Sequence, residues 1–188
     1  MNIKYLGPYN RLVDILEDSG HIVERTESRI TEGELKGDEF IISYGYRHIL
    51  TNDILNKVNG RAINLHISYL PFNRGADPNL WSYLEDSPKG VSIHYIDEGI
   101  DTGDIIYQMY TWDSEEDTLK SSYLRLKLCI ENLFIACMER IFLGECPREK
   151  QNCKGSFHVL SDKDKYAYLL EEKGFDTPVK ELIGKVKS

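Results

Sequence analysis

Two short stretches hold residue types that can do chemistry together. The first runs from Ala62 to Ser68, where Ile63, Leu65 and Ile67 alternate with Asn64, His66 and Ser68. Alternation of period two is the mark of a strand, so each set of three shares one face. A solvated strand face normally carries Lys, Glu or Thr. Here it offers an amide, an imidazole and a hydroxyl, and an amide and an imidazole two residues apart can aim at one point. The second stretch is Asp97-Glu98-Gly99-Ile100-Asp101-Thr102-Gly103-Asp104, with four carboxylates in eight residues. Carboxylates can take up protons or hold a cation. An EF-hand loop starting at Asp97 needs Gly at its sixth position and Glu at its twelfth; those positions are Thr102 and Gln108, so that calcium reading fails. A tight strand-to-strand loop explains both glycines but not the crowding of carboxylates.

Strands and helices must position these stretches. Ile3 to Leu6 reads as a strand, followed by the turn Gly7-Pro8-Tyr9. Asn10 can cap a helix that buries Leu12, Val13, Ile15 and Leu16, and Gly20 stops it. His21 to Arg25 predicts a second strand, Glu27 to Asp38 a polar loop, and Phe40 to Ile42 a buried strand ending at Ser43-Tyr44-Gly45. Thr51 or Asn52 caps a helix that reaches Val58 and breaks at Asn59-Gly60. Further strands are predicted over Val91 to Ile96 and Ile105 to Tyr110. Ser114 is expected to open the longest helix, with acidic residues 115–117 in its first turn. Leu119, Tyr123, Leu126, Ile130, Leu133, Cys137 and Ile141 form its core stripe, and Gly144 ends it. The polar tail carries a short predicted helix over Asp162 to Glu172. Strands alternating with helices predict an open α/β sheet.

A chain of 188 residues, 41% hydrophobic and 29% charged, suits one globular domain that needs no disulfides. Its 31 acidic and 23 basic residues leave a formal charge of −8, which argues against a broad nucleic-acid surface. A local cationic pocket for one small anion stays open. No apolar run approaches the ~20 residues of a membrane span, and the first residues lack a signal-peptide pattern. A cytoplasmic protein with no membrane partner is expected. Cys129, Cys137, Cys146 and Cys153 include no C-x2-C pair, so they read as free thiols and no metal is expected.

The assembled motifs resemble the catalytic core of the 10-formyltetrahydrofolate-dependent formyltransferases. The matching residues are Asn64 through Pro71, Asn73-Arg74-Gly75-Ala76, Gly90-Val91-Ser92-Ile93-His94 and Asp97 through Gly103, with Ser43-Tyr44-Gly45-Tyr46 upstream. Within that family the chain is most similar to the sugar N-formyltransferases, on Tyr69 through Gly75, Pro78-Asn79-Leu80-Trp81 and Gly155-Ser156-Phe157-His158. The resemblance implies a mostly parallel twisted sheet flanked by helices, with a Rossmann-type core. In the family's longer members more residues precede the Asn-x-His strand, so a smaller sheet is expected on the amino-terminal side. Residues 1–144 are expected to form the core, including the long helix, and 145–188 an extension packed on it.

The resemblance also implies an activity: transfer of a formyl group from 10-formyltetrahydrofolate to the primary amine of a nucleotide-linked amino sugar. Amine attack on the formyl carbon creates an oxyanion, which an Asn amide and an imidazolium can stabilise. Asn64 and His66 take those roles, and Asp101 favours charged His66 and accepts the amine's proton. Tyr46, His48, Ile49, Leu50, Leu55, Asp97 and Gly99 are the expected folate-binding residues. Tyr69, Asn73, Arg74 and Trp81 are the expected contacts to the sugar nucleotide. His21, His94 and His158 receive no role. A tRNA acceptor is not expected, because residues 145–188 are too few for a typical RNA-binding domain and the chain is acidic. The long helix and tail are candidate homodimer contacts. The alternatives are hydrolysis of the same folate, with water replacing the amine, and a non-catalytic folate-binding protein.

Overall fold

The computed structural model describes residues 1–186. In chain order its elements are β1 (Asn2–Leu6), α1 (Arg11–Asp18), β2 (Ile22–Thr26), β3 (Phe40–Ser43), α2 (Asn52–Lys57), β4 (Ala62–His66), β5 (Arg74–Gly75), α3 (Pro78–Leu84), β6 (Gly90–Tyr95), β7 (Ile105–Tyr110), α4 (Leu119–Leu143) and β8 (Phe157–His158). Six strands form one sheet in the order β2-β1-β3-β4-β6-β7. β1 pairs in parallel with β2 and with β3, and β3 with β4. β6 and β7 run antiparallel: the Tyr95 amide donates to Asp104 O at one end and Thr111 N to Lys89 O at the other. The result is the expected mostly parallel α/β sheet.

Local chemistry sets the boundaries. Asn10 caps α1, its side chain accepting from Leu12 N at 3.0 Å. β4 stops at His66, short of the predicted Ser68, because the Ser68 hydroxyl turns to Phe72 O and Phe72 N donates to Tyr69 O, closing a turn. α4 starts at Leu119, not at Ser114. Asp117 folds back to accept from Ser114 N at 2.8 Å, and Thr118 Oγ1 accepts from Ser121 N at 3.2 Å as the helix cap. Leu119 N is then taken by Thr177 O, which fixes the entry to the helix. The tail forms 3-10 turns over Leu160–Leu169, Gly174–Asp176 and Val179–Glu181 in place of the predicted helix.

The chain divides into two compact units that interleave in sequence. Unit 1 comprises residues 1–66, 93–107 and 133–151; unit 2 comprises 67–92, 108–132 and 152–188, of which 187 and 188 lie outside the described residues. In unit 1, Leu6, Ile30, Leu35, Ile41, Leu50, Ile54, Val58 and Ala62 form a buried cluster on which Tyr46, Leu55 and Ile96 pack. In unit 2, Leu80, Trp81, Tyr83, Leu84 and Leu119 join the tail residues Val179 and Leu182. Each fully buried side chain of this size contributes about 1.5–3 kcal/mol relative to exposure. No helix among the described residues is long and apolar enough to cross a membrane.

Candidate active site

β4 brings Asn64 and His66 to one face by strand alternation, and pairing with β3 sets Asn64 opposite Ser43. The loop after β6 closes over that face. Asp97 organises it, its Oδ1 accepting from Gly99 N at 3.1 Å and Thr102 Oγ1 at 2.6 Å. A Cβ on Gly103 would overlap Tyr95 O, so only glycine lets the loop return this tightly. Asp101 takes a left-handed backbone conformation, φ +54°. Such a conformation is uncommon for a residue with a side chain and marks an over-determined position.

That conformation delivers the carboxylate to β4. Asn64 Nδ2 donates to Asp101 Oδ1 at 3.1 Å, and His66 Nδ1 faces Oδ2 at 3.6 Å. The two ionisable side chains are 9% and 12% exposed. Low exposure matters because water no longer screens the pair fully. With Nδ1 turned to the carboxylate, the imidazole presents Nε2 on its opposite edge.

A second histidine completes the cluster. His94 on β6 is buried, with Nδ1 at 2.7 Å from Tyr95 O. A carbonyl only accepts, so Nδ1 carries a proton. Asn64 Nδ2 lies 3.2 Å from Nε2 of the same ring, and Asp101 Oδ1 lies 3.4 Å from it. The Asn64 amide nitrogen thus lies between the carboxylate, to which it donates, and the His94 ring. The sequence alone assigns His94 no role. The available signal was the pairing of Ser92 and His94 on β6, the same polar alternation as Asn64 and His66 on β4.

The expected folate-binding residues lie in unit 1. Tyr46 OH donates to Ser28 O at 2.9 Å and accepts from Ile30 N at 3.1 Å, and its ring meets His48 edge-on at 5.1 Å. Leu50 is buried and Leu55 packs on the same cluster, whereas His48 and Ile49 are exposed. The expected acceptor residues lie in unit 2. Tyr69 stacks on Tyr110 with ring centroids 3.8 Å apart. Arg74 is half-buried in β5, which pairs with β8. Asn73 is fully buried, donating to Ser87 Oγ at 2.9 Å while its backbone N donates to Ser156 Oγ. Trp81 is 3% exposed and stacks on His158 at 3.7 Å, and His158 Nε2 lies 3.1 Å from Glu85 Oε1. Asn73 and Trp81 are therefore internal to the packing of unit 2. Among the described residues no group of three or more His, Cys, Asp and Glu can hold a metal ion.

Asn64, His66, His94 and Asp101 thus meet at the ends of β4 and β6 in a mostly parallel α/β sheet. The model of the Formyl transferase family matches residues 18–138, and the chain belongs to that family. Methionyl-tRNA formyltransferase of Fusobacterium nucleatum is 38% identical over 117 residues, which is 62% of this chain and 38% of that protein. The chain spans about two fifths of the length of the curated relatives it matches. Among solved structures, the formyltransferase PseJ from Anoxybacillus kamchatkensis is 50% identical, with 98% of this chain and 99% of that chain covered at a TM-score of 0.94. That structure is a complex with UDP-4,6-dideoxy-4-formamido-L-AltNAc and tetrahydrofolate. The N-formyltransferase from Helicobacter canadensis, in complex with folinic acid and dTDP-3-aminofucose, is 25% identical, covering 85% of this chain and 71% of that one at a TM-score of 0.72.

Proposed function

We propose that the protein transfers the formyl group of 10-formyltetrahydrofolate to the primary amine of a nucleotide-linked amino sugar. The main support is the meeting of Asn64, His66 and Asp101 in a chain half identical, over nearly all its length, to a sugar formyltransferase. We infer a UDP-linked 4-amino-4,6-dideoxy sugar as the acceptor, because the complex of that relative holds a 4-formamido sugar of this type.

The residues divide the work by their chemistry. Attack by the amine forms a C–N bond and puts negative charge on the formyl oxygen. His66, as an imidazolium, donates to that oxygen from its Nε2 edge. Asn64 donates to it as well, from its side-chain amide. One such donor typically contributes ~10²–10³ in rate. Asp101 favours the charged form of His66 and accepts the amine's proton, directly or through a water. The bond from the formyl carbon to the donor nitrogen then breaks as Asp101 returns the proton to that nitrogen.

The surroundings fit a flat heteroaromatic donor. Exposed Ile49 and His48 beside half-buried Tyr46 offer apolar and aromatic faces, and Leu50 and Leu55 support them from the core. Asp97 holds the Gly99 amide and shapes the loop rather than reaching outward. For the acceptor, Tyr69 and Arg74 are the contacts of choice, while Asn73 and Trp81 are buried within unit 2.

Coupling of donor consumption to acceptor identity tests the proposal. Loss of 10-formyltetrahydrofolate should require a UDP-linked 4-amino sugar and be stoichiometric with formamide formed. Donor loss at an equal rate without any amine would mean hydrolysis. Efficient formylation of initiator methionyl-tRNA, with a panel of amino-sugar nucleotides untouched, would overturn the acceptor.

A further inference from the structure

The segment that follows α4 reaches the catalytic loop by a specific register. Glu149 bridges Ile105 in antiparallel fashion, its carbonyl accepting from Ile105 N at 2.8 Å and its N donating to Ile105 O at 3.0 Å. Two residues further on, the same register sets Gln151 opposite Gly103. The Gln151 side chain then donates from Nε2 to Asp101 O at 2.9 Å and to Gly103 O at 2.8 Å. Three residues earlier, the Arg148 guanidinium lies 3.6 Å over the Tyr95 ring and 3.8 Å from Asp104 Oδ2. One short segment thus grips the loop at both ends.

The two carbonyls that Gln151 holds flank Thr102 and begin at the left-handed residue itself. Asp101 points its carboxylate at Asn64 and His66 only while its backbone stays at positive φ, a conformation a residue with a side chain rarely adopts. An amide that bonds the carbonyl of Asp101 and the carbonyl two residues on fixes the peptide planes on which that conformation depends. We propose that Gln151 is a positioning residue for catalysis: it holds Asp101 at the angle from which the carboxylate reaches His66 and the incoming amine. The inference rests on the formyl-transfer reading for its kinetic consequence but not for the grip itself.

The conformational part follows from the bonds alone. Gln151→Ala removes both donations, and Gln151→Glu keeps the shape but replaces the donor nitrogen with an acceptor. Gln151→Lys restores a donor. Misplacing a reacting group by about 1 Å can cost ~10² in rate. For Ala and Glu, kcat should therefore fall by about 10-fold to 10²-fold, with KM for donor and acceptor within about threefold of wild type. Lys should recover most of the loss.

The decisive comparison adds Gln151→Ala to Asp101→Asn. If Gln151 acts through Asp101, the double variant is no slower than Asp101→Asn alone. A multiplicative loss would show a separate structural effect and overturn the assignment. Amide hydrogen exchange of residues 97–104 is read alongside on the full chain. Exchange should rise in the Ala variant and return toward wild type in Lys. Unchanged exchange, or raised exchange with kcat unaltered, also overturns the assignment. An absence of formyl transfer by wild type, with the exchange pattern as expected, instead counts against the functional reading and leaves the grip established.

Discussion

Replacing the Asp101 carboxylate by an amide is the sharpest single perturbation of the proposed mechanism. Asp101→Asn preserves size and leaves an oxygen to accept from Asn64 Nδ2, which lies 3.1 Å away. Two things are lost: the charge that faces His66 Nδ1 at 3.6 Å, and the proton acceptor for the amine. With side chains 9% and 12% exposed, an effective dielectric of about 20 applies, and opposite charges at this separation attract by about 4 kcal/mol. Losing that attraction removes what favours the charged imidazole. Loss of a positioned general base alone typically costs ~10²–10⁴. The two losses concern one proton-transfer unit and do not multiply fully, so kcat should fall by ~10³ or somewhat more. KM should change little, since neither loss removes ground-state binding. The assay is stopped-time formamide formation across enzyme concentrations, with thermal unfolding to verify the fold. The double variant with His66→Ala should lose far less than the product of the single losses. A folded Asp101→Asn protein with turnover within about tenfold of wild type would refute this role for the carboxylate.

Three other outcomes follow from particular groups. Extensive chelation should leave the rate unchanged, because the chemistry is assigned to Asn64, His66 and Asp101; a loss restored by one added metal would contradict it. Burial pushes the Cys137 thiol up to about 12, whereas Cys153 is exposed, so an alkylating agent at pH 8 should label Cys153 and spare Cys137 in the native protein; mass mapping with equal labelling of both would contradict that. Burial opposes the Asp117 charge, but the hydrogen bonds from Arg125 at 2.5 Å, Ser114 N and the Ser121 hydroxyl outweigh it and hold the carboxyl below its ordinary 3.8. A depressed carboxylate stabilises the fold fully above its unfolded value and loses that contribution as pH falls through the folded value. Asp117→Asn should therefore cost about 1.5–3 kcal/mol at pH 7 and progressively less below pH ~4 in chemical unfolding; a penalty that does not vary with pH would rule the charge out.

The frame was legible because its signals are local. Asn10 before an apolar stripe, alternation across Ala62 to His66 and glycine at 144 each act within a few residues, and the elements form there. The start of α4 at Leu119 rather than Ser114 has a cause outside local sequence. The acidic residues after Ser114 suit a first helical turn, but Asp117 pairs with Arg125 and the backbone at 117–119 bonds to the tail at 177–179. The same distinction separates the site residues. Asn64 and His66 announce themselves on one strand, and Asp101 lies in a loop whose glycines mark a tight return. His94 needs the knowledge that β6 lies beside β4. Gln151 needs the Glu149–Ile105 register, a pairing across forty-four residues that no periodicity encodes. The resemblance over Pro78 to Trp81 makes Trp81 an expected sugar-nucleotide contact, yet tail residues His158 and Tyr166 pack on its ring.

The central claim concerns where one carbon goes, and an isotope follows it directly. The protein is incubated with 10-formyltetrahydrofolate carrying carbon-13 in the formyl group and a UDP-linked 4-amino-4,6-dideoxy sugar. The products are read by carbon NMR and by mass. The account predicts one labelled formamide carbon bonded to the sugar nitrogen for each donor consumed, and none of it when His66→Ala replaces wild type. Label recovered as free formate at the same rate with or without the amino sugar would contradict it.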